Sequence, residues 1–264
     1  MAVPFDHIAA SYDSIFTRSM IGQLQRKRVW NYIEQIIPGL KGFDMLELNC
    51  GTGEDALMFS ERGFNIIATD ISIEMLKVTS EKAERFSMQH RISSHYLDLE
   101  SFDETVFDKK FDLIFSNFGG LNCINPASLQ SLIQKLPQIM NPGGRFIAVI
   151  MPRFCMWEFA YFVSKFEFKN AFRRRSRQPI ETNLHGTMLS TWYYNPAQIT
   201  SWADGYFKKV NCQPIGIALP PSYLEPFFKT RKRLLLRLNA LEKKYKISLL
   251  SSFADHYLID LRLR

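Results

Sequence analysis

Between about residue 45 and residue 150, short apolar runs alternate with amphipathic stretches. The runs are Met45-Leu46-Glu47-Leu48, Asn65-Ile66-Ile67-Ala68-Thr69, Ser94-His95-Tyr96-Leu97, Phe111-Asp112-Leu113-Ile114-Phe115 and Phe146-Ile147-Ala148-Val149-Ile150. Short, nearly continuous apolar runs predict strands buried on both faces, as in a parallel sheet. The stretches between them carry helix signals. Ser72 is placed to cap a helix from Ile73 to about Arg85, and Asn125-Pro126 supplies a cap and a first-turn proline for the next. There Leu129, Leu132, Ile133 and Leu136 recur at helical spacing, an apolar stripe that must face a sheet. Asn141-Pro142-Gly143-Gly144 predicts a turn before the fifth strand. Upstream, Ile21, Leu24, Trp30, Ile33 and Ile37 mark an amphipathic helix. Strand and helix in alternation predict a doubly wound α/β sheet.

After the fifth strand the rhythm changes. Residues 152–192 are aromatic and basic without a clear period. Asn195-Pro196 then opens a helix, Phe207 to Ala218 reads as a strand, 222–247 as a long basic helix or helix pair, and Ala254 to Leu261 as a last strand. With no repeat and no low-complexity linker, the chain reads as one domain over 1–264. Its core covers about 40–151 and 195–264, and a lid of about 152–194 works with the N-terminal helix, 1–39.

The eight aromatics of 154–172 (Phe154, Trp157, Phe159, Tyr161, Phe162, Phe166, Phe168, Phe172) suit either a roof over an apolar substrate or the lid's own core. Thr182 to Tyr194 reads as a hairpin beside the site, with His185 and Tyr194 as candidate general bases. His95 and His256 read as structural.

Composition narrows the class. The chain has 264 residues, 46% of them hydrophobic, enough for one large core. No apolar run approaches the roughly 18 residues that span a bilayer. The N-terminus lacks a basic stretch followed by an apolar one, so a secretory signal is not expected and a cytoplasmic protein is. Cys50, Cys123, Cys155 and Cys212 form no CxxC pair, which predicts free thiols and no metal. Lys plus Arg number 33 against 26 acidic residues, and the excess is concentrated in 173–177 and 229–246. Such clusters attract nucleic acid, anionic lipid or an acidic carrier protein, or simply face solvent. In 229–246 the leucines 234, 235, 236, 238 and 241 give an apolar side with no Trp beside it. That favours packing on the protein over a membrane surface, with capture of an acidic carrier left open.

The chemistry is carried by Leu46-Glu47-Leu48-Asn49-Cys50-Gly51-Thr52-Gly53-Glu54-Asp55-Ala56, which succeeds a strand and opens a helix. Gly51 and Gly53 let a ligand approach the backbone, and the helix start offers unpaired N–H groups. Asp70, about twenty residues on at the end of the second strand, suits two ribose hydroxyls. Together they mark a nucleoside-containing cofactor and leave a nicotinamide dinucleotide open. Glu47, placed to hold a cationic amino acid, and Asp98 after the third strand favour S-adenosylmethionine (SAM). Asp98 is equally placed to cap the next stretch of chain, and Glu54 and Asp55 to serve the helix dipole.

This ordered set resembles the class I SAM-dependent methyltransferases, within them the ubiquinone/menaquinone C-methyltransferase-like small-molecule group. Phe5-Asp6-x-Ile8-Ala9-x-x-Tyr12-Asp13 is similar to that group's N-terminal motif, Phe111 to Asn117 to its fourth-strand motif, and Asn141 to Phe146 to its proline-glycine turn. Where the group has its first glycine this chain has Asn49, a residue that tolerates the left-handed region. The resemblance implies a Rossmann-like, seven-stranded, mostly parallel sheet with an antiparallel last strand and an aromatic-rich lid. It implies that Glu47, Asn49, Gly51 and Gly53 surround the methionine part of SAM and that Tyr12 closes over it. Asp70 would bind the ribose and Ile71 the adenine face, Asp98 and Leu99 would meet the adenine edge, and Asn117 and Phe118 the amino end. The implied reaction is methyl transfer to an O, N or C atom of a small, apolar or aromatic acceptor. The rivals are a nucleic-acid methyltransferase, a nicotinamide-dependent oxidoreductase and a non-catalytic SAM-binding protein. Ser116-Asn117-Phe118-Gly119 departs from the Asn/Asp-Pro-Pro-Tyr/Phe motif of amino-methylating DNA and RNA enzymes, so no nucleic-acid partner is expected.

Overall fold

A computed structural model describes residues 5–184 and 187–264. Strands β1 (Asp44–Leu48), β2 (Asn65–Asp70), β3 (Ile92–Tyr96), β4 (Phe111–Ser116) and β5 (Met140–Ile150) alternate with helices. A short helix α1 (Ala9–Tyr12) and the long α2 (Met20–Ile36) precede them, and α3 (Glu54–Glu61), α4 (Ile73–Arg85) and α5 (Pro126–Lys135) connect them. After β5 come α6 (Met156–Ser164), α7 (Phe168–Ala171) and the hairpin β6 (Ile180–Leu184)–β7 (Thr187–Thr191). The chain then returns through α8 (Pro196–Ala203), β8 (Phe207–Ile215), α9 (Glu225–Phe228), α10 (Lys232–Glu242) and β9 (His256–Leu263).

The main sheet has seven strands in the order β3-β2-β1-β4-β5-β9-β8. β1 to β5 pair in parallel. β9 slots between β5 and β8 and pairs antiparallel with both, so the last strand in sequence is the one reversed strand. Alternate residues feed two cores. Leu46, Leu48, Phe146, Ala148 and Ile150 pack on one face with α5 and α8. Met45, Ile147 and Val149 pack on the other with α2, α3 and α4. The predicted caps form: Ser72 Oγ accepts the Met75 N–H at 3.1 Å, and Asn125 Oδ1 accepts the Ala127 and Ser128 N–H groups at 3.0 Å.

The structure corrects two expectations and decides between alternatives for two more. The Asn141–Gly144 turn lies inside β5: Phe111 pairs with Met140 and Leu113 with Arg145, so the excess residues bulge out around Gly143 at φ +80°. Of the two alternatives for 222–247 the helix pair forms, α9 and α10, with a 3-10 turn at Ser222–Leu224 ahead of them and Pro226 in the first turn of α9. Its leucines divide, Leu235 and Leu238 packing on Ile21 and Phe228 while Leu234, Leu236 and Leu241 stay exposed. Within the first basic cluster Arg174 is buried, its guanidinium donating to Glu158 Oε2 at 2.8 Å and to Asp255 Oδ1 at 2.9 Å. That bridge ties α6 to the start of β9. The aromatics after β5 divide too. Phe154, Phe159 and Phe172 stack in a chain of ring contacts, whereas Phe166 and Phe168 face solvent.

Candidate functional site

The loop from β1 into α3 turns at the C-terminal edge of the sheet, where parallel strands leave a crevice between the first and fourth strands. Three of its residues take the left-handed conformation: Asn49 at φ 56°, Gly51 at 55° and Gly53 at 73°. Gly53 is forced by packing as well, because a Cβ there would lie 2.6 Å from Thr79 Cγ2. A Cβ on Gly51 would meet no atom within 4 Å. Asp70 organises this loop. Its Oδ2 accepts the Gly51 N–H and its Oδ1 the Ser72 N–H, both at 2.9 Å. Burial raises its pKa against the pull of those two amides.

Glu47 is buried at the end of β1. Its Oε2 and the Oδ1 of Asn49 are shut off from solvent with no hydrogen-bond partner among the described residues. Desolvation, with Asp55 nearby, holds the Glu47 carboxyl well above the usual carboxylate range. A cationic donor placed beside it would draw that pKa back down and favour the ionised, accepting form.

Asp55, at the first turn of α3, gathers three donors from other elements. It pairs with the Arg26 guanidinium and accepts Trp30 Nε1–H at 2.6 Å and Asn117 Nδ2–H at 3.0 Å. Arg26 also lies 4.9 Å over the Phe118 ring, and Phe118 has φ 45°. Edge-on to the same ring stands His256, its Nδ1 3.2 Å from Asp255 Oδ2.

The N-terminal motif forms a strap across the loop. Ser72 Oγ donates to Asp6 at 2.6 Å, Thr52 Oγ1 donates to Asp13 at 2.6 Å, and Lys82 pairs with Asp13 at 2.7 Å. Ile8 and Ala9 pack on Met75, and burial pushes the Tyr12 hydroxyl up to about 12. The space under the strap is a cavity of ≈ 40 Å³ lined by Tyr12, Arg26, Asn49, Cys50, Gly51, Thr52, Glu54, Asp55, Asn117 and Phe118.

Of the residues expected here, Tyr12, Asn49, Gly51, Asn117 and Phe118 thus meet around one cavity, with Glu47, Gly53 and Asp70 supporting the loop. Ile71, next after Asp70, is half-buried. Asp98 caps the next turn, accepting the Glu100 N–H at 2.9 Å, and Leu99 is buried in the core. Tyr194 is not available as a base. It is buried, donates its hydroxyl to the Ile124 carbonyl, and packs against Trp202. His185 lies outside the described residues. Sequence reasoning missed Arg26 and the gathering role of Asp55, because the pairing joins α2 to α3 across long sequence separation. Asp13 lay within the quoted motif, a usable signal.

Residues 45–144 match the family model of a methyltransferase domain. Among curated proteins, the chain is 26% identical over 148 residues to a demethylmenaquinone methyltransferase of Paenarthrobacter aurescens, covering 56% of this chain and 53% of that protein. It is 31% identical over 147 residues to a malonyl-[acyl-carrier protein] O-methyltransferase of a Marinomonas species, covering 54% and 48%. The chain therefore spans about half the length of these relatives. Among solved structures, the CcbJ methyltransferase from Streptomyces caelestis superposes with a TM-score of 0.64 at 13% identity, covering 99% of this chain and 98% of that one. A dinucleotide-binding Rossmann sheet runs parallel throughout in the order 3-2-1-4-5-6, whereas here a reversed strand is inserted beside β5. Residues 45–144 thus match a methyltransferase-domain model, and the chain as a whole has the fold of the CcbJ methyltransferase.

Proposed function

We propose that the chain transfers a methyl group from SAM to an O, N or C atom of a small, largely apolar acceptor. The observation that carries this reading is the pair of orphaned buried oxygens, Glu47 Oε2 and Asn49 Oδ1, beside a glycine loop whose Gly51 faces open space. The α-ammonium of a methionine moiety brings three donors to such acceptors. Arg26 suits the carboxylate of the same moiety: among the described residues Asp55 takes one of its five donors. Asp70 holds further acceptor capacity for ribose hydroxyls, Ile71 offers an apolar face to adenine, and Asp98 and Leu99 would meet the adenine edge. Asn117 and Phe118 border the amino end, and Tyr12 covers it from the strap.

Bound SAM supplies an electrophilic methyl group on a sulfonium, with a neutral thioether as leaving group. The chain's part is to fix donor and acceptor in line and to keep water out. Segment 152–194 acts as the lid, its stacked Phe154, Phe159 and Phe172 bounding an apolar acceptor. The exposed basic run of 229–246, with the carrier-protein relative, favours a second reading in which an acidic carrier delivers the acceptor.

Calorimetric titration with SAM and with NAD tests the cofactor. SAM binds at micromolar concentration and NAD does not. Asp70→Ala strips the ribose acceptor and two loop hydrogen bonds, weakening SAM by about 1–3 kcal/mol. Binding of NAD in place of SAM, or unchanged SAM affinity in the variant, rejects the assignment.

A further inference from the structure

Phe166 sits in the turn between α6 and α7 and Phe168 opens α7, within Lys165-Phe166-Glu167-Phe168-Lys169. Phe166 is 82% exposed and Phe168 58%, with their rings 6.5 Å apart. Phe166 also adopts φ 61°, where a bulky side chain is strained. A turn needing only that backbone is better served by Gly or Asn. Here an aromatic is held out into solvent at a conformational cost.

This turn adjoins a second exposed surface. Tyr161, one helical turn before Lys165, stacks edge-on to Tyr223 at 5.9 Å, and beyond Tyr223 come the exposed Phe227, Leu234 and Leu236. The charges there are sorted by sign. Every Lys and Arg of 229–246 is exposed, and none joins an ion pair among the described residues. The one acid of that stretch, Glu242, turns inward, as does Glu225 just before it. Glu225 accepts the Met20 and Ile21 N–H groups at 2.9 and 3.0 Å, and Glu242 accepts those of Gly216, Ala218 and Leu219. A merely solvated helix face interleaves both signs. The basic segment presents cations alone, around exposed aromatic and leucine side chains, and the Phe turn adds one exposed acid, Glu167, between Lys165 and Lys169.

We propose that this face docks the protein on an anionic lipid surface, with the Phe166–Phe168 turn entering the headgroup layer and the basic segment lying on it. Apolar side chains at the boundary with cations around them are what such an interface selects. An acidic protein partner would match the charges but gives no role to a strained aromatic held away from the fold. The proposal stands apart from the cofactor reading, since lipid binding is measured without SAM.

Co-sedimentation of the full chain with vesicles of phosphatidylcholine plus phosphatidylglycerol, at physiological salt, is the test. The protein pellets with these vesicles and not with phosphatidylcholine alone. Lys232→Glu with Arg233→Glu lowers the partition coefficient by more than about tenfold. Phe166→Ser with Phe168→Ser lowers it several-fold and leaves the melting temperature unchanged, both rings being outside the core. A parent protein that stays in the supernatant overturns the proposal, as does a double Phe variant that binds like the parent. Binding to a purified acyl carrier protein without binding to vesicles overturns it in favour of a protein partner.

Discussion

Gly51 and Gly53 share a left-handed backbone and differ in what surrounds them. Alanine at either costs about 1–2 kcal/mol of backbone strain. At Gly53 it also collides with Thr79, a side chain itself bound to the Gly51 carbonyl at 2.9 Å. Gly53→Ala therefore lowers the urea midpoint clearly more than Gly51→Ala does. Gly51→Ala keeps most of the stability yet weakens SAM at least about tenfold, because its methyl group takes cofactor space. Equal SAM affinity in Gly51→Ala and the parent counts against the loop as the cofactor cradle. Asn49 shows how a residue-level departure is absorbed: at φ 56° it holds the turn that glycine holds in the group it resembles.

At the scale of elements, α6 is fastened to β9 by buried charge. Arg174 joins Glu158 and Asp255, and Arg173 adds a second bond to Glu158 at 2.6 Å. Against desolvation, Arg174 and Arg173 hold the Glu158 carboxyl below its ordinary 4.5. Asp255 is likewise held below 3.8, by His256 first and then Arg174. Folded-state pKa values lowered in this way add stability above the unfolded values, and that stability is lost as pH falls through the folded ones. Arg174→Met leaves two buried carboxylates short of a partner, at about 3–5 kcal/mol near neutral pH. The deficit shrinks in acid, where the carboxyls of the variant take up protons. Urea unfolding of parent and variant at both pH values reads this directly, and a deficit independent of pH would assign Arg174 to packing alone.

For the molecule as a whole, the cavity of ≈ 40 Å³ is far below the roughly 300–1,000 Å³ of sites for ligands of SAM's size. Tyr12 and Arg26 line this space, and the hydrogen bonds of Asp6 and Asp13 fasten the strap over it. Where a ligand enters beneath a fastened strap, the fraction of molecules with the strap released limits the apparent affinity. Asp13→Ala, which loses Thr52 and Lys82, is expected to speed SAM association several-fold in stopped-flow mixing. An unchanged association rate would place the gate elsewhere. The same whole-molecule view separates the two basic clusters: one is partly internal, built around Arg174, and the other lies outside, its one acid, Glu242, drawn into the fold.

What the sequence determined by itself is local. Apolar runs marked the five parallel strands, Ser72 and Asn125 marked their helix starts, and the spacing from the glycine loop to Asp70 placed the loop's organising carboxylate. Such signals rest on periods and caps that span a few residues, and burial enforces them wherever the segment packs. Tertiary structure decided the rest. It brought Arg26 to Asp55, buried Tyr194, drew Glu225 and Glu242 inward, and left Phe166 outside. Each of these depends on which distant surface a side chain meets, and periodicity along the chain does not encode that.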